Sequence, residues 1–177
     1  MSINEIIPHL YVSNWEASDS PTLLKKYNIK AIITLETRPK SNNILNYYDS
    51  NNIDHMYVYI QDSPNADISK HFDETYNFIK FHISRGENVL VHCWAGVSRS
   101  STIALNYMIR SSYEAGKVYT CPCKFLEAVL EYAVSQRSVI HPNKGFLKQL
   151  LISAIDYQNE MKEEYMLNYK NTIMNIF

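Results

Sequence analysis

The feature that most constrains this chain is one unbroken run. An apolar, strand-like segment at 89–91 (VLV) passes directly into His92-Cys93-Trp94-Ala95-Gly96-Val97-Ser98-Arg99-Ser100, and a helical pattern, STIALNYMI, follows. A strand, a tight loop and a helix start in direct succession form an anion cradle. Loop N–H groups turn inward as a nest, and the first helical turn adds free amides and the positive end of its dipole. In α/β sheets such a cradle lies beyond the carboxyl end of a parallel strand, where those sheets bind ligands.

The side chains in the run suit phosphate chemistry. Cys93 stands at the loop mouth among N–H donors and near a guanidinium, surroundings of the kind that favour a thiolate, the nucleophilic form. Arg99 closes the loop, where its planar fork can grip two phosphate oxygens and stabilise charge during transfer. Trp94, Ala95, Gly96, Val97 and Ser98 supply the backbone of the cradle, and Gly96 allows the positive φ of a tight loop. Ser100 can donate a hydrogen bond to the sulfur and make it a better leaving group. His92 orders the loop rather than acting as a base. With this chain's residue frequencies, His-Cys-x-x-Gly-x-x-Arg-Ser/Thr arises by chance on the order of once in 10⁵ such chains. A merely buried free cysteine does not explain why glycine and arginine stand at cradle spacing between strand and helix.

The remaining chain supplies a frame for the loop. Short, β-rich, nearly continuous apolar runs at 10–13 (LYVS), 31–35 (AIITL) and 56–60 (MYVYI) read as strands covered on both faces. Helices separate them. One is capped by Ser20 with Pro21 at its first position; the next is capped by Asp67, carries Ile68, Phe72, Thr75, Tyr76, Ile79 and Ile83 at helical spacing, and stops near Gly86. Others begin near Ser100, Lys124 and Lys144. The expected fold is α/β, a mainly parallel central sheet of about four to five strands flanked by helices.

The chain has 177 residues, 46% hydrophobic and 20% charged, which suits one soluble domain. A net charge of −1 gives no general attraction to nucleic acid or to acidic membranes, so neither is an expected partner. Three cysteines argue against a disulfide scaffold and for a reducing compartment. Cys121-Pro122-Cys123, without companion ligands, reads as a proline-opened helix start rather than a metal site or a redox partner for Cys93. No run of about 18 apolar residues is present, the N-terminus lacks a signal-peptide pattern, and Ser2 stands where myristoylation needs glycine. The expected location is cytoplasmic, with the nucleus as the alternative.

The segment HCWAGVSRSST resembles the signature loop of the protein tyrosine phosphatases and is most similar to their dual-specificity branch. The similarity runs from about residue 5 to residue 153: EIIPHLYVSN resembles the family's entry strand, with Ser13 where glycine is usual, and Gln136-Arg137, Ile140-His141-Pro142-Asn143 and Phe146 to Leu151 resemble its later Arg-x-x-Ile-x-Pro-Asn segment. The resemblance implies phosphoryl transfer to Cys93 followed by hydrolysis, with no metal and no cofactor, and a loop-ordering role for Asn143 beside His92. It also implies a general acid, an aspartate about 30 residues before the cysteine. Asp62 and Asp67 are the candidates. Asp62 is selected because it follows the strand MYVYI, precedes a Ser63-Pro64-Asn65 loop and lies at the right distance from Phe72, whereas Asp67 is accounted for as a helix cap.

Two stretches depart from the family. Between Arg99 and Arg137 the chain is about ten residues longer than most small members, and the extra stretch at 111–122, centred on 111–117, is expected to be a surface loop. Residues 1–155 are expected to form the catalytic domain, beginning too early in the chain for a kinase-docking unit ahead of it. Residues 156–177 are expected to form a helical extension that packs on the domain or pairs two copies as a homodimer. The uncharged loop positions Trp94, Ala95 and Val97 favour phosphorylated proteins as substrates over phosphoinositides or RNA 5′ ends, since lipid phosphatases of the superfamily tend to carry basic residues there. A phosphopeptide-binding module with little catalysis is the other alternative; such modules usually lose the cysteine or the arginine.

Overall fold

Strands whose residues are apolar at successive positions have no face to give to water, and here the inner strands are covered on both sides. The computed structural model describes residues 2–117 and 119–174, apart from the side chains of 168–174. The end of the expected C-terminal extension, 175–177, lies outside the described residues. Five strands, β1 (Ile3–Ile7), β2 (Leu10–Ser13), β3 (Ile29–Glu36), β4 (Asp54–Tyr59) and β5 (Asn88–His92), form one sheet in the order β1-β2-β5-β3-β4. β1 and β2 are antiparallel, and the other three pairings are parallel. β1 was not separable from β2 in the sequence. The break between them is a Pro8-His9 turn in which His9 takes φ +69° and its ring bonds Asn88 Oδ1 at 2.7 Å.

The helices are α1 (Trp15–Ser18), α2 (Pro21–Lys26), α3 (Asn42–Ser50), α4 (Phe72–Ile83), α5 (Arg99–Glu114), α6 (Pro122–Gln136) and α7 (Lys144–Met174). Alternate residues along the strands feed two cores. Ala31, Ile33, Leu35, Val89 and Val91 pack towards α4 to α7, and Ile29, Ile32 and Leu90 pack towards α1 to α3. Asn14, Ser20 and Ser41 cap the first three helices through their side chains, and Pro21 opens α2 as expected. Asp67 does not cap α4: its Oδ1 accepts from Ser69 Oγ at 2.7 Å and from the Lys70 amide at 3.3 Å, bracing a 3₁₀ turn, Ser69–His71, whose N-cap is Ile68. The α-helix proper starts at Phe72 behind His71, later than the sequence suggested.

The stretch 111–117 is not a loop throughout. α5 continues to Glu114, and only the following turn at Gly116, with φ +76°, ends it. The reason is packing. Tyr113, 1% exposed, lies edge-on to Tyr119 and Phe125, and Glu114 accepts hydrogen bonds from Tyr76 and Lys80. α7 is continuous through residues 155 and 156. Phe146, Leu150 and Ala154 anchor its first half in the core, and farther on Tyr165, Met166 and Leu167 are exposed. No helix among the described residues is long and apolar enough to cross a membrane.

Candidate active site

β5 delivers the loop 93–98 to the carboxyl edge of the sheet, and α5 carries it away. Each of the five carbonyls from Trp94 to Ser98 is engaged by a donor outside the loop. Trp15 N–H takes the carbonyl of Trp94 at 3.0 Å; Arg137 takes those of Ala95 and Gly96 at 3.4 and 3.0 Å; His141 N–H takes Val97 at 2.9 Å; Thr102 takes Ser98 through both its amide and its hydroxyl. A peptide whose carbonyl points out points its N–H the other way. The N–H groups of those five peptides, which belong to residues 95–99, have no acceptor among the described residues, so they line the inside of the loop. α5 adds to this, because its N-cap, Ser98, makes no side-chain cap bond and leaves the helix N-terminal amides free. Gly96 takes φ +67°, and a Cβ there would overlap the Ser13 carbonyl. The close approach is thus to the backbone of Ser13, which explains why a serine is tolerated at that position.

Cys93 is the chain's free cysteine among the described residues, buried, with Sγ 3.2 Å from Ser100 Oγ. Behind it runs a polar chain that the sequence did not reveal. Ser18 Oγ donates to the Trp15 carbonyl at 2.7 Å and accepts from Lys40 Nζ at 2.6 Å, so His92 Nδ1–H, 3.2 Å away, is the donor in that contact. His92 Nε2 then accepts from Thr34 Oγ1 at 2.7 Å, and Thr34 accepts from His55 Nε2 at 2.8 Å. Burial, reinforced by the Lys40 charge, holds the His92 ring well below the ordinary histidine pKa. His92 is therefore a neutral, fully bonded strut under the loop.

Arg99, 6% exposed, is held along one edge. Nη1 donates to Glu36 Oε1 at 3.1 Å and to the Ile60 carbonyl at 3.2 Å, and Nη2 reaches Glu36 Oε2 at 3.4 Å. Its buried Nε has no hydrogen-bond partner among the described residues and lies 3.9 Å from Asp62 Oδ2. Burial alone raises the pKa of Glu36, but the Thr37 amide and Arg99 outweigh it and keep Glu36 below the usual carboxylate range. Asp62 Oδ1 accepts from Ser98 Oγ at 2.7 Å and from Asn143 Nδ2 at 2.9 Å, which fixes the carboxylate beside the loop. The start of α7 holds the chain after Asp62. Gln149 Oε1 accepts from the amides of Ile68 and Ser69, and Gly145 lies so close to Pro64 that a Cβ would fall within its backbone.

Cys93, Arg99, Ser100, His92, Asp62, Asn143 and the loop backbone thus meet at one place. Glu36, Thr34, Lys40 and Gly145 complete it and were not singled out from the sequence, while Arg137 and Gln149, which also complete it, stood there only as parts of the family-like segment, with no role assigned. A charged residue closing an otherwise apolar strand, Glu36 after AIITL, was the available signal for the first of them. Cys121 and Cys123 are paired with each other as a disulfide at the start of α6, with Pro122 opening that helix. Arg137, at the other end of α6, touches the loop, so the pair lies about 22 Å from it, the length of a 15-residue helix.

The family model described as dual specificity phosphatase, catalytic domain, matches residues 10–156. The rat dual specificity protein phosphatase 5 is 32% identical over 157 residues, which cover 89% of this chain and 36% of that protein. The mouse dual specificity protein phosphatase 15 is 32% identical over 148 residues, 84% of this chain and 56% of that protein. The chain therefore spans less than two thirds of the length of these relatives. Among solved structures, that of DUSP15 superposes with a TM-score of 0.71 at 28% identity, covering 91% of this chain and 95% of the other. Human tyrosine phosphatase-like serine/threonine/tyrosine-interacting protein superposes with a TM-score of 0.71 at 25% identity, covering 88% and 97%. By the span of the family match and the identity to these relatives, the chain belongs to the family of dual specificity phosphatase catalytic domains.

Proposed function

We propose that the chain is a cysteine-dependent protein phosphatase that hydrolyses phosphotyrosine and phosphoserine/threonine by way of a cysteinyl-phosphate on Cys93. The observation that carries this reading is the loop whose carbonyls all point outward, with Cys93 Sγ at its base and the free Nε of Arg99 at its end. The inward amides and Arg99 bind the dianionic phosphoryl group and stabilise its equatorial oxygens in the transition state. The Cys93 thiolate attacks phosphorus, the bond from phosphorus to the substrate oxygen breaks, and the Asp62 carboxyl gives its proton to that oxygen. In the second step water attacks phosphorus, the P–S bond breaks, Asp62 takes the water's proton, and Ser100 Oγ–H, 3.2 Å from the sulfur, stabilises the departing thiolate. Each role is filled by a group of this chain, so the reading calls for no metal ion or cofactor. Residues 1–155 are assigned the catalysis.

A phosphopeptide-binding module is the second reading, and the likeness to the interacting protein favours it. The presence of Cys93, Arg99 and Asp62 together favours turnover. The test is hydrolysis of p-nitrophenyl phosphate and of phosphotyrosyl and phosphothreonyl peptides with chelator present. Wild type should turn over all three, Cys93→Ser none, and Asp62→Asn should be slower by about 10²–10⁴-fold. A folded wild type that binds the peptides without releasing phosphate would establish the binding module instead.

A further inference from the structure

The cations near the loop divide into two kinds. Arg99 is paired with Glu36, Lys40 with Asp19, and the buried Arg137 is used up on the loop carbonyls, Ser2 and Asn4. Arg38, on the turn after β3, has no carboxylate partner among the described residues and is exposed. Its guanidinium lies over the ring of Trp94, 4.1 Å from the centroid, and Trp94 directly follows Cys93. The backbone beneath it is clamped, since Tyr57 Oη donates to the carbonyls of Glu36 and Arg38 at 3.0 and 2.9 Å. Trp94 is itself held, by Trp15 N–H at its carbonyl and by the Trp15 ring 6.2 Å away. Stacking uses the flat face of a guanidinium and leaves its N–H edge free for an anion. The position is thus built and charged, with no carboxylate among the described residues taking up its fork, and it sits on the ring of the residue that follows the nucleophile. Around it the surface is aromatic: Trp94, Tyr57 and Tyr59 are 50%, 39% and 65% exposed.

Resting on the catalytic reading above, we propose that Arg38 selects phosphoprotein segments carrying a second anion, an acidic or phosphorylated side chain, next to the residue whose phosphate enters the loop. One fork set among exposed aromatic rings suits an extended peptide, whose side chains can pack on the rings while one anion meets the fork. An inositol ring with several phosphates would call for several cations, and Trp94, Ala95 and Val97 supply none.

The test uses one phosphotyrosyl peptide core with three flanks, neutral, glutamate and phosphothreonine, beside a short-chain phosphatidylinositol phosphate and p-nitrophenyl phosphate. Wild type, Arg38→Ala and Arg38→Glu are compared by kcat and KM, and the same peptides are ranked by Kd on Cys93→Ser with and without Arg38→Ala. Wild type should favour the anionic flanks by about three- to tenfold, chiefly in KM, and the preference should weaken with salt. Arg38→Ala should abolish it and Arg38→Glu should invert it, with p-nitrophenyl phosphate kinetics unchanged. The glutamate and phosphothreonine arms distinguish the two sources of the anion. A preference that survives in Arg38→Ala, a wild type indifferent to flank charge, or a loss confined to the inositol lipid would overturn the proposal. Absence of all turnover would fail the catalytic reading alone, because the Kd ranking still reads the role of Arg38.

Discussion

Glu36 is expected to hold Arg99 in its working orientation, and Glu36→Gln isolates that role at nearly constant volume. Glu36 is 3% exposed and accepts from two of the three guanidinium nitrogens, at 3.1 and 3.4 Å. A glutamine keeps one acceptor but turns its NH₂ towards an arginine NH₂, so one charge-assisted hydrogen bond is lost. Such a bond contributes about 1.5–3 kcal/mol. A second effect opposes the first, since removing the negative charge leaves Arg99 a stronger cation for phosphate. Orientation should win, because the nearest remaining carboxylate is Asp62, 3.9 Å from Nε, and a freed Arg99 would swing to it and tie up both groups. At 1.36 kcal/mol per tenfold, kcat/KM should fall by roughly 10- to 100-fold, with weaker inhibition by inorganic phosphate. The assay is steady-state hydrolysis of a phosphopeptide with phosphate as competitor, and thermal unfolding verifies that the variant is folded. A folded variant with kcat/KM within twofold of wild type, or one that binds phosphate more tightly, would refute the reasoning and reduce Glu36 to a neutralising charge.

Thr34→Val keeps its shape but strips the hydroxyl from the Nε2 atoms of two rings, the buried His92 and the half-buried His55, and should lower stability by about 1–3 kcal/mol, read by denaturant unfolding. Gly145→Ala should push the Pro64 backbone and the chain carrying Asp62 off the site, slowing alkyl phosphates with poor leaving groups by about tenfold or more while p-nitrophenyl phosphate suffers least. Burial holds His55 at a pKa of about 4, below the unfolded value near 6.5. Unfolding then takes up a proton below pH ~6.5 while the folded ring stays neutral until about 4, so stability falls across that window as the medium is acidified. The site is part-exposed, so the loss attributable to His55 should be about 1–2 kcal/mol, and His55→Gln should flatten thermal unfolding profiles between pH 6.5 and 4.5 by that amount.

What was legible in the sequence was contiguous. The strand, loop and helix around Cys93 occupy one short stretch, so spacing alone placed Cys93, Gly96, Arg99 and Ser100 relative to one another. Continuous apolarity in 31–35 and 89–91 announced strands with two covered faces, and both cores are present. The residues that were not legible act across long separations. Glu36 reaches Arg99 over 63 positions, Thr34 reaches His92 over 58, and Arg137 reaches Gly96 over 41, and no local pattern marks such pairs. The end of α5 was misread for a related reason: Ser111 and Ser112 look loop-like locally, but the burial of Tyr113 against Tyr119 and Phe125 decides the outcome.

The central claim, that phosphate passes through a covalent bond to Cys93, is tested most directly by trapping. A ³²P-labelled phosphotyrosyl peptide is mixed with enzyme, the reaction is quenched within milliseconds in acid, and the protein is digested. Label should appear on the peptide containing Cys93 in wild type, accumulate further in Ser100→Ala because the thiolate leaves less readily, and be absent in Cys93→Ser. Phosphate release by wild type with no label on the protein under these conditions, or label on any other residue, would contradict the account.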